Sequence, residues 1–290
     1  MVLHRFILHN GRIHEASERV LAPGQVGLLS GWGVFTTLKV ADGVPFAFDR
    51  HWARISRDAA TMHVPLPGNP EALRRKLLEL VEANHAFNST LRLVIVRNGG
   101  GMWAGPSTGC DSDVIALTAD SKDWGEGVKL GIVPHGRHAA CEFATTKILS
   151  WAMNLTWVER AQQQGLDEVI LLNEHGEVAE CTSANIFASI GGQVWTPPVS
   201  SGCLPGITRE VLLGEIHVPG ITIGEKKLMP VDLSAADEVF ITSTTRNLLL
   251  VKEIAGKTIG RTDRTSRALS AAFGEYVDRY VAAHKGAAAV

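Results

Sequence analysis

A chain of 290 residues, 45% hydrophobic and 20% charged, is long enough for two domains of ordinary size and has the balance of a soluble globular protein. Its net charge of −2, with Lys and Arg scattered, leaves no electrostatic footprint for nucleic acid. No apolar run approaches the roughly 20 residues that a membrane helix needs.

The first third alternates strands and helices. Residues 6–8 and 12–14 flank Asn10-Gly11, the pair favoured in a type I′ hairpin. Residues 31–40 read as a glycine-loosened loop entering a strand, and Asp42-Gly43 makes the next turn. Asp49 is placed to cap a helix with Trp52, Ile55, Ala59 and Met62 at helical spacing. Asn69-Pro70-Glu71 opens a second helix, whose buried face is Leu73, Leu77, Leu80 and Val81. Strands are expected at 91–97 and 114–118, joined by a long loop over 98–106 of the kind that is often functional. A polar, glycine-punctuated stretch suggests a domain boundary, giving a small N-terminal α/β domain (1–119), a linker (120–127) and a larger C-terminal domain (128–290). In the second domain, 151–164 reads as a helix closed by Gly165. Strands follow at 167–172, 177–180, 185–188 and 193–195. A helix opens at 204–209, a strand over 238–242 leads into Ser243-Thr244-Thr245, and a helix closes the chain over 265–284. Antiparallel strand pairs with helices outside predict two α/β or α+β domains.

The cysteines Cys110, Cys141, Cys181 and Cys203 lie far apart and form no CxxC. That argues against a disulfide framework or a zinc ribbon and fits a reducing cytosol. The N-terminus begins a strand pattern without a signal-peptide core, so a cytoplasmic location is expected. The eleven histidines include no HExxH, and no metal is expected. Gly-x-Ser-x-Gly, Rossmann and Walker A patterns are absent.

The chemistry is carried by residues that are ordinary when read one at a time. Lys147 lies in an apolar or hydroxylated stretch with no acid within four residues. It is either a surface lysine with a buried stem or a desolvated amine able to form a Schiff base. Glu180, at the end of a strand hairpin, is either solvated or a buried carboxylate that needs a cationic partner such as a protonated pyridine nitrogen. Pro205-Gly206-Ile207-Thr208 enters a helix, where unpaired N–H groups can hold a phosphate. Ser243-Thr244-Thr245 is a second hydroxyl-rich turn. Arg54, one turn after His51, can reach a phosphate or pair on its own helix.

Their order along the chain resembles the class IV (fold-type IV) pyridoxal-phosphate enzymes, over nearly the whole chain. That family includes branched-chain aminotransferases, D-amino-acid aminotransferases, R-selective amine transaminases and 4-amino-4-deoxychorismate lyases. His51-Trp52-Ala53-Arg54-Ile55 looks like its phosphate-arginine helix and Lys147 like its aldimine lysine. Glu180 with Asn185-Ile186-Phe187 looks like its pyridine-nitrogen acid and following strand, and 204–209 like its phosphate-binding helix start. The resemblance implies a two-domain fold-type IV enzyme holding pyridoxal 5′-phosphate through Arg54, Lys147, Glu180, Ile207, Thr208, Ser243 and Thr244. Lys147 is the implied catalytic residue, and a homodimer the implied assembly. The expected reaction is amino transfer between an apolar, branched-chain-like L-amino acid and a 2-oxo acid. The alternatives are a deoxychorismate lyase and a D-amino-acid or R-selective amine transaminase. Phe35, Met102 and Trp103 are expected to line an apolar substrate pocket. The Thr244-Thr245 backbone is expected to receive the substrate carboxylate, and Arg97 or Arg137 a second carboxylate.

Two departures stand out. The asparagine and tyrosine that many relatives carry after the lysine are replaced by Ser150, Trp151 and Ala152. The loop over 98–106 also lacks the arginine and histidine of the D-amino-acid enzymes and the Arg-Gly-Tyr of some lyases, whereas Phe35-Thr36-Thr37 is similar to the lyase pattern.

Overall fold

A computed structural model describes residues 2–102 and 109–285, so Trp103 falls outside the described residues. The chain divides into two units. The first is Met1–Lys122, Thr146–Trp151 and Val277–Val290; the second is Asp123–Thr145 and Ala152–Tyr276.

The first unit opens with the expected hairpin of β1 (Leu3–His9) and β2 (Arg12–Glu15). Asn10 and Gly11 both take positive φ, 48° and 79°, as a type I′ turn requires. A short helix α1 (Val26–Ser30), which the periodicity does not announce, precedes β3 (Gly33–Ala41) and β4 (Val44–Pro45). Helices α2 (Phe48–Thr61) and α3 (Pro70–Ala83) then lead to β5 (Ser89–Arg97) and β6 (Ser112–Asp120). α3 is built as its sequence reads: the Asn69 side chain accepts the Ala72 N–H at 3.0 Å, Pro70 opens the first turn, and the four expected apolar residues are buried. α2 starts differently. Its cap is Ala47, in the left-handed region at φ 54°, and Asp49 sits inside the first turn. There it faces the positive end of the helix rather than capping it.

The six-stranded sheet runs β2-β1-β6-β5-β3-β4, antiparallel throughout. Strand alternation gives β3 two distinct faces. Val34, Leu38 and Val40 join Leu91, Leu93 and Ile95 in a core with Phe48, Ile55 and Leu77 of the helices. On the other face Phe35 packs with Val94, Val96, Ile115 and Leu149.

The second unit contains β7 (Val128–Val133), α4 (Ala152–Gln163), β8 (Glu168–Leu172), β9 (Val178–Cys181), β10 (Asn185–Ile190) and β11 (Gln193–Thr196). After these come α5 (Ile207–Gly214), β12 (Thr222–Glu225), α6 (Pro230–Ala235), β13 (Glu238–Ser243), β14 (Asn247–Ile254), β15 (Lys257–Thr258) and, as far as Tyr276, α7 (Arg264–His284). α4 begins at Ala152, so Trp151 stays with the strip 146–151 instead of opening the helix. The sheet order is β12-β11-β10-β13-β14-β7-β8-β9, with β15 on β14. β11–β12, β14–β7 and β7–β8 pair in parallel. All five residues of β8 are buried, which explains its unbroken apolar run. Phe187 stacks on Phe240 at 5.2 Å between ring centroids.

Candidate active site

In the first unit the strip 146–151 adds to the edge of β3. The Phe35 N–H donates to the Lys147 carbonyl at 3.1 Å and the Leu149 N–H to the Gly33 carbonyl at 2.9 Å. Lys147 Nζ lies 4.5 Å from the Phe35 ring centroid, and the Arg92 guanidinium carbon lies 4.0 Å from the same centroid. Register explains this meeting: Phe35 pairs with Val94 and Thr37 with Arg92, which puts all four side chains on one face. Trp151 approaches Phe35 edge-on at 6.2 Å. Among the described residues no carboxylate pairs with Arg92. Burial lowers its pKa from the usual value, yet a guanidinium keeps its charge.

Thr36 faces the opposite way, toward α2. Its hydroxyl accepts from Arg54 Nη2 at 2.9 Å and lies 2.7 Å from His51 Nδ1. A hydroxyl that accepts from a guanidinium can pass its own proton to an imidazole nitrogen. His51 suits that role, because burial pushes its pKa well below the usual 6.5, and the charges of Arg54 and Lys147 push the same way. It is a neutral imidazole near pH 7. Asp58, one helical turn beyond Arg54 and 1% exposed, accepts the Lys147 backbone N–H on Oδ2 at 3.1 Å and pairs with Arg57 through Oδ1 at 2.6 Å.

In the second unit Glu180 is 5% exposed and accepts three hydrogen bonds. Arg137 donates to Oε1 from Nε at 3.0 Å and from Nη2 at 2.8 Å, and the Leu204 N–H donates to Oε2 at 3.0 Å. The cationic partner that a buried carboxylate demands is therefore Arg137. The segment carrying Arg137 is itself pinned by Glu174, which accepts the Ala139 and Ala140 N–H groups at 2.7 and 3.1 Å. The Ala139 bond is the main cause holding the Glu174 carboxyl down at about 2. Next to Glu180, Asn185 donates to the Leu204 carbonyl at 2.8 Å. This fixes the loop that enters α5 at Gly206, where a Cβ would collide with Asn185 Oδ1. No side chain caps α5, so the N–H groups of Ile207 and Thr208 are left for an anion. Arg209 is turned away, to the Pro197 carbonyl and Glu225.

A second buried ion pair ties two turns together. Arg246 donates to Glu168 Oε2 at 3.3 Å, to Ser183 Oγ at 3.0 Å and to Ser243 Oγ at 3.5 Å. Glu168 also accepts from the hydroxyls of Thr182 and Ser183. The turn after β9 is thereby latched to the turn carrying Ser243, Thr244 and Thr245. Ser243 Oγ is occupied within its own turn, accepting the Arg246 N–H at 3.2 Å.

Several expected placements change. Arg97 does not join the Phe35 face. It donates to the Gly99 and His63 carbonyls at 2.6 and 2.8 Å and covers Trp32. Residues 92 and 97 are an odd number apart on one strand and so point to opposite faces. Met102 is 92% exposed. The sequence reading also passes over Arg92, Asp58, Glu168 and Arg246. Arg92 has a visible signal, a cation in the middle of an otherwise apolar strand; the other three have none short of the fold.

The family model for class IV aminotransferases matches residues 33–254. The chain belongs to the class IV aminotransferases. It is 31% identical over 258 residues to a D-alanine aminotransferase of Bacillus licheniformis, covering 88% of this chain and 90% of that one. It is 26% identical over 270 residues to the branched-chain-amino-acid aminotransferase of Escherichia coli K12, covering 88% and 86%. Among solved structures, the branched-chain aminotransferase of Thermoproteus uzoniensis superposes with a TM-score of 0.85 at 25% identity, covering 96% of this chain and 97% of that one. The fold is thus the fold-type IV arrangement, and the protein is a pyridoxal-phosphate-dependent transaminase.

The residues present fit that cofactor. A carboxylate offers about four acceptor positions; Glu180 uses three of them, which leaves one for a ring N–H. The α5 start has no side-chain cap, so its N–H groups would suit a phosphate.

Proposed function

We propose that this transaminase moves an amino group between an apolar L-amino acid of the branched-chain type and a dicarboxylic 2-oxo acid. The observation that carries the reading is the Phe35 face, where apolar Phe35, Val94 and Val96 share one surface with Lys147 and Arg92. The apolar residues suit a hydrocarbon side chain, and the guanidinium suits a carboxylate. Both demands of such a reaction are met on one surface, without Arg97 or Arg137. Bound pyridoxal phosphate supplies the electron sink. In this reading Lys147 provides the amine that anchors it and moves the substrate α-proton, and Glu180 accepts the ring N–H. Ile207, Thr208 and Thr244 hold the phosphate together with Arg54, and the Thr244-Thr245 backbone receives the substrate α-carboxylate.

A second reading, D-amino-acid transfer, is favoured by the 31% identity to a D-alanine aminotransferase. The deciding experiment is a panel of L- and D-amino acids, chiral amines and aminodeoxychorismate, scored by the spectral change of the bound cofactor. Conversion of L-leucine and L-valine supports the branched-chain reading; rapid conversion of D-alanine alone, or pyruvate release from aminodeoxychorismate, overturns it. Borohydride reduction followed by peptide mapping should mark Lys147, and a label on Lys226 or Lys227 would remove it from that role.

The working form in this reading is a cytoplasmic homodimer. Leu28 and Leu29 on α1 are exposed, at 47% and 67%, and a Cβ on Gly101 would lie 3.2 Å from Val26 of the same helix. Gly101, next to exposed Met102, therefore lies against an apolar helix that a second copy would cover. Light scattering on the purified protein checks the dimer.

A further inference from the structure

Lys147 sits at the point where an edge ladder stops. β3 takes the Lys147 carbonyl and the Leu149 N–H. The Lys147 N–H does not continue that ladder and turns instead to Asp58 Oδ2 at 3.1 Å. Asp58 is 1% exposed, and a carboxylate is costly to bury unless its bonds are made. It is held on its other oxygen by Arg57, whose Nε and Nη2 donate to Oδ1 at 3.1 and 2.6 Å. It lies on the buried face of α2 with His51 and Arg54, the residues that grip Thr36. One helix thus contacts two neighbours of the Phe35 platform, Thr36 through Arg54 and Lys147 through Asp58.

We propose that Asp58 is the positioning residue of Lys147: by holding the lysine's backbone N–H while β3 holds its carbonyl, it fixes the direction in which the side chain leaves the strip, toward the Phe35 ring. A charge-assisted bond to a backbone N–H is short-range and directional, and an amine that moves a proton is sensitive to placement. A misplacement of about 1 Å in such a group costs roughly 100-fold in rate. Asp58 touches neither substrate nor cofactor in this account; it acts through the lysine. The proposal rests on the reading that Lys147 carries the cofactor.

The experiment compares Asp58→Ala, which removes the acceptor, with Asp58→Asn, which keeps an amide oxygen in the same place without the charge. The first readout is hydrogen exchange of the Lys147 amide in the cofactor-free protein, which does not depend on turnover. The second is kcat and KM of the loaded enzyme with L-leucine. In Asp58→Ala the Lys147 amide should exchange at least ~10-fold faster and kcat should fall ~10–100-fold, with KM for L-leucine within about threefold of wild type. Asp58→Asn should restore most of the amide protection and most of kcat. Wild-type protection at Lys147 in Asp58→Ala, or Asp58→Asn behaving like Asp58→Ala, overturns the proposal. Where Asp58→Ala does not fold, Asp58→Ser, whose hydroxyl falls short of the amide, decides by the same two outcomes. Borohydride mapping of the wild-type enzyme separates the two failures. A label elsewhere than Lys147 removes the underlying reading, whereas a label on Lys147 with unchanged amide exchange removes only the role of Asp58.

Discussion

The two units solve opposite electrostatic problems. In the second unit each carboxylate of the candidate site has its guanidinium: Glu180 is paired with Arg137 and Glu168 with Arg246, and each takes further N–H or O–H bonds. In the first unit two cations, Lys147 and Arg92, lie over one aromatic ring. A set of paired charges makes a rigid cradle, since loss of either partner leaves a buried charge uncompensated. The Arg92 guanidinium, with no carboxylate paired to it among the described residues, suits something that arrives negatively charged. The second unit thus holds its buried charges in pairs, whereas the first keeps one guanidinium, Arg92, for an anion that visits.

That contrast can be broken from either side. The largest effect is expected from Lys147→Ala, because a positioned proton-transfer group contributes ~100–10,000-fold. Single-turnover measurement with L-leucine should show a loss of at least ~1,000-fold. Next comes Arg246→Met. Stranding Glu168, which is 1% exposed, should destabilise the protein by ~3–5 kcal/mol, read as a shift in urea midpoint without a change of slope. Arg92→Leu should be nearly neutral in stability, since no acid is stranded. It should raise KM for a dicarboxylic 2-oxo acid by ~10–100-fold, the equivalent of one charged hydrogen bond, while KM for L-leucine stays unchanged. An Arg92→Leu enzyme with normal dicarboxylate kinetics would remove the visiting-anion half of the comparison.

The smallest effect concerns pH. His51 is buried neutral, with its folded pKa below the usual 6.5. Below pH 6.5 the unfolded chain therefore binds a proton that the folded chain refuses. Stability from this group is present in full above 6.5 and is lost as pH falls toward the folded pKa, at up to ~1.4 kcal/mol per pH unit. His51→Gln should flatten that part of the stability profile. An unchanged acid limb would mean that other groups control it.

The sequence announces the parts of the fold whose signals are local. α3 carries its cap, its proline and its apolar stripe within 14 residues and forms as written. Asn10-Gly11 and Asp42-Gly43 form their turns because positive φ is chemically encoded there. α1 and β12 are too short for an apolar period to announce them, and β12 forms where β11 offers a partner. The candidate site divides the same way. Lys147, Glu180 and the α5 entry are legible because their order is distinctive. The partner of Glu180, 43 residues away in Arg137, and the Glu168–Arg246 latch, spanning 78 residues, are not legible, because no periodicity connects such pairs. Arg97 misleads for a simpler reason: proximity to a loop suggested a role, and strand alternation sends its side chain to the other face.

The discontinuous make-up of the first unit bears on how the protein can come into being. The strip bearing Lys147 and the end of α7, where Tyr280 meets Phe46 at 5.1 Å and Lys285 meets Asp42 at 2.8 Å, both belong to a unit begun by residues 1–122. During synthesis that unit is left open twice while the chain builds the second, and its α7 contacts must wait for residues 277–285 to leave the ribosome. A fragment cut near residue 122 would carry Phe35, Arg54 and Arg92 but no lysine strip along β3, exposing an unpaired strand edge beside an apolar face. Lys147 reaches β3 only once residues 146–151 have been made, after all six strands of the first sheet.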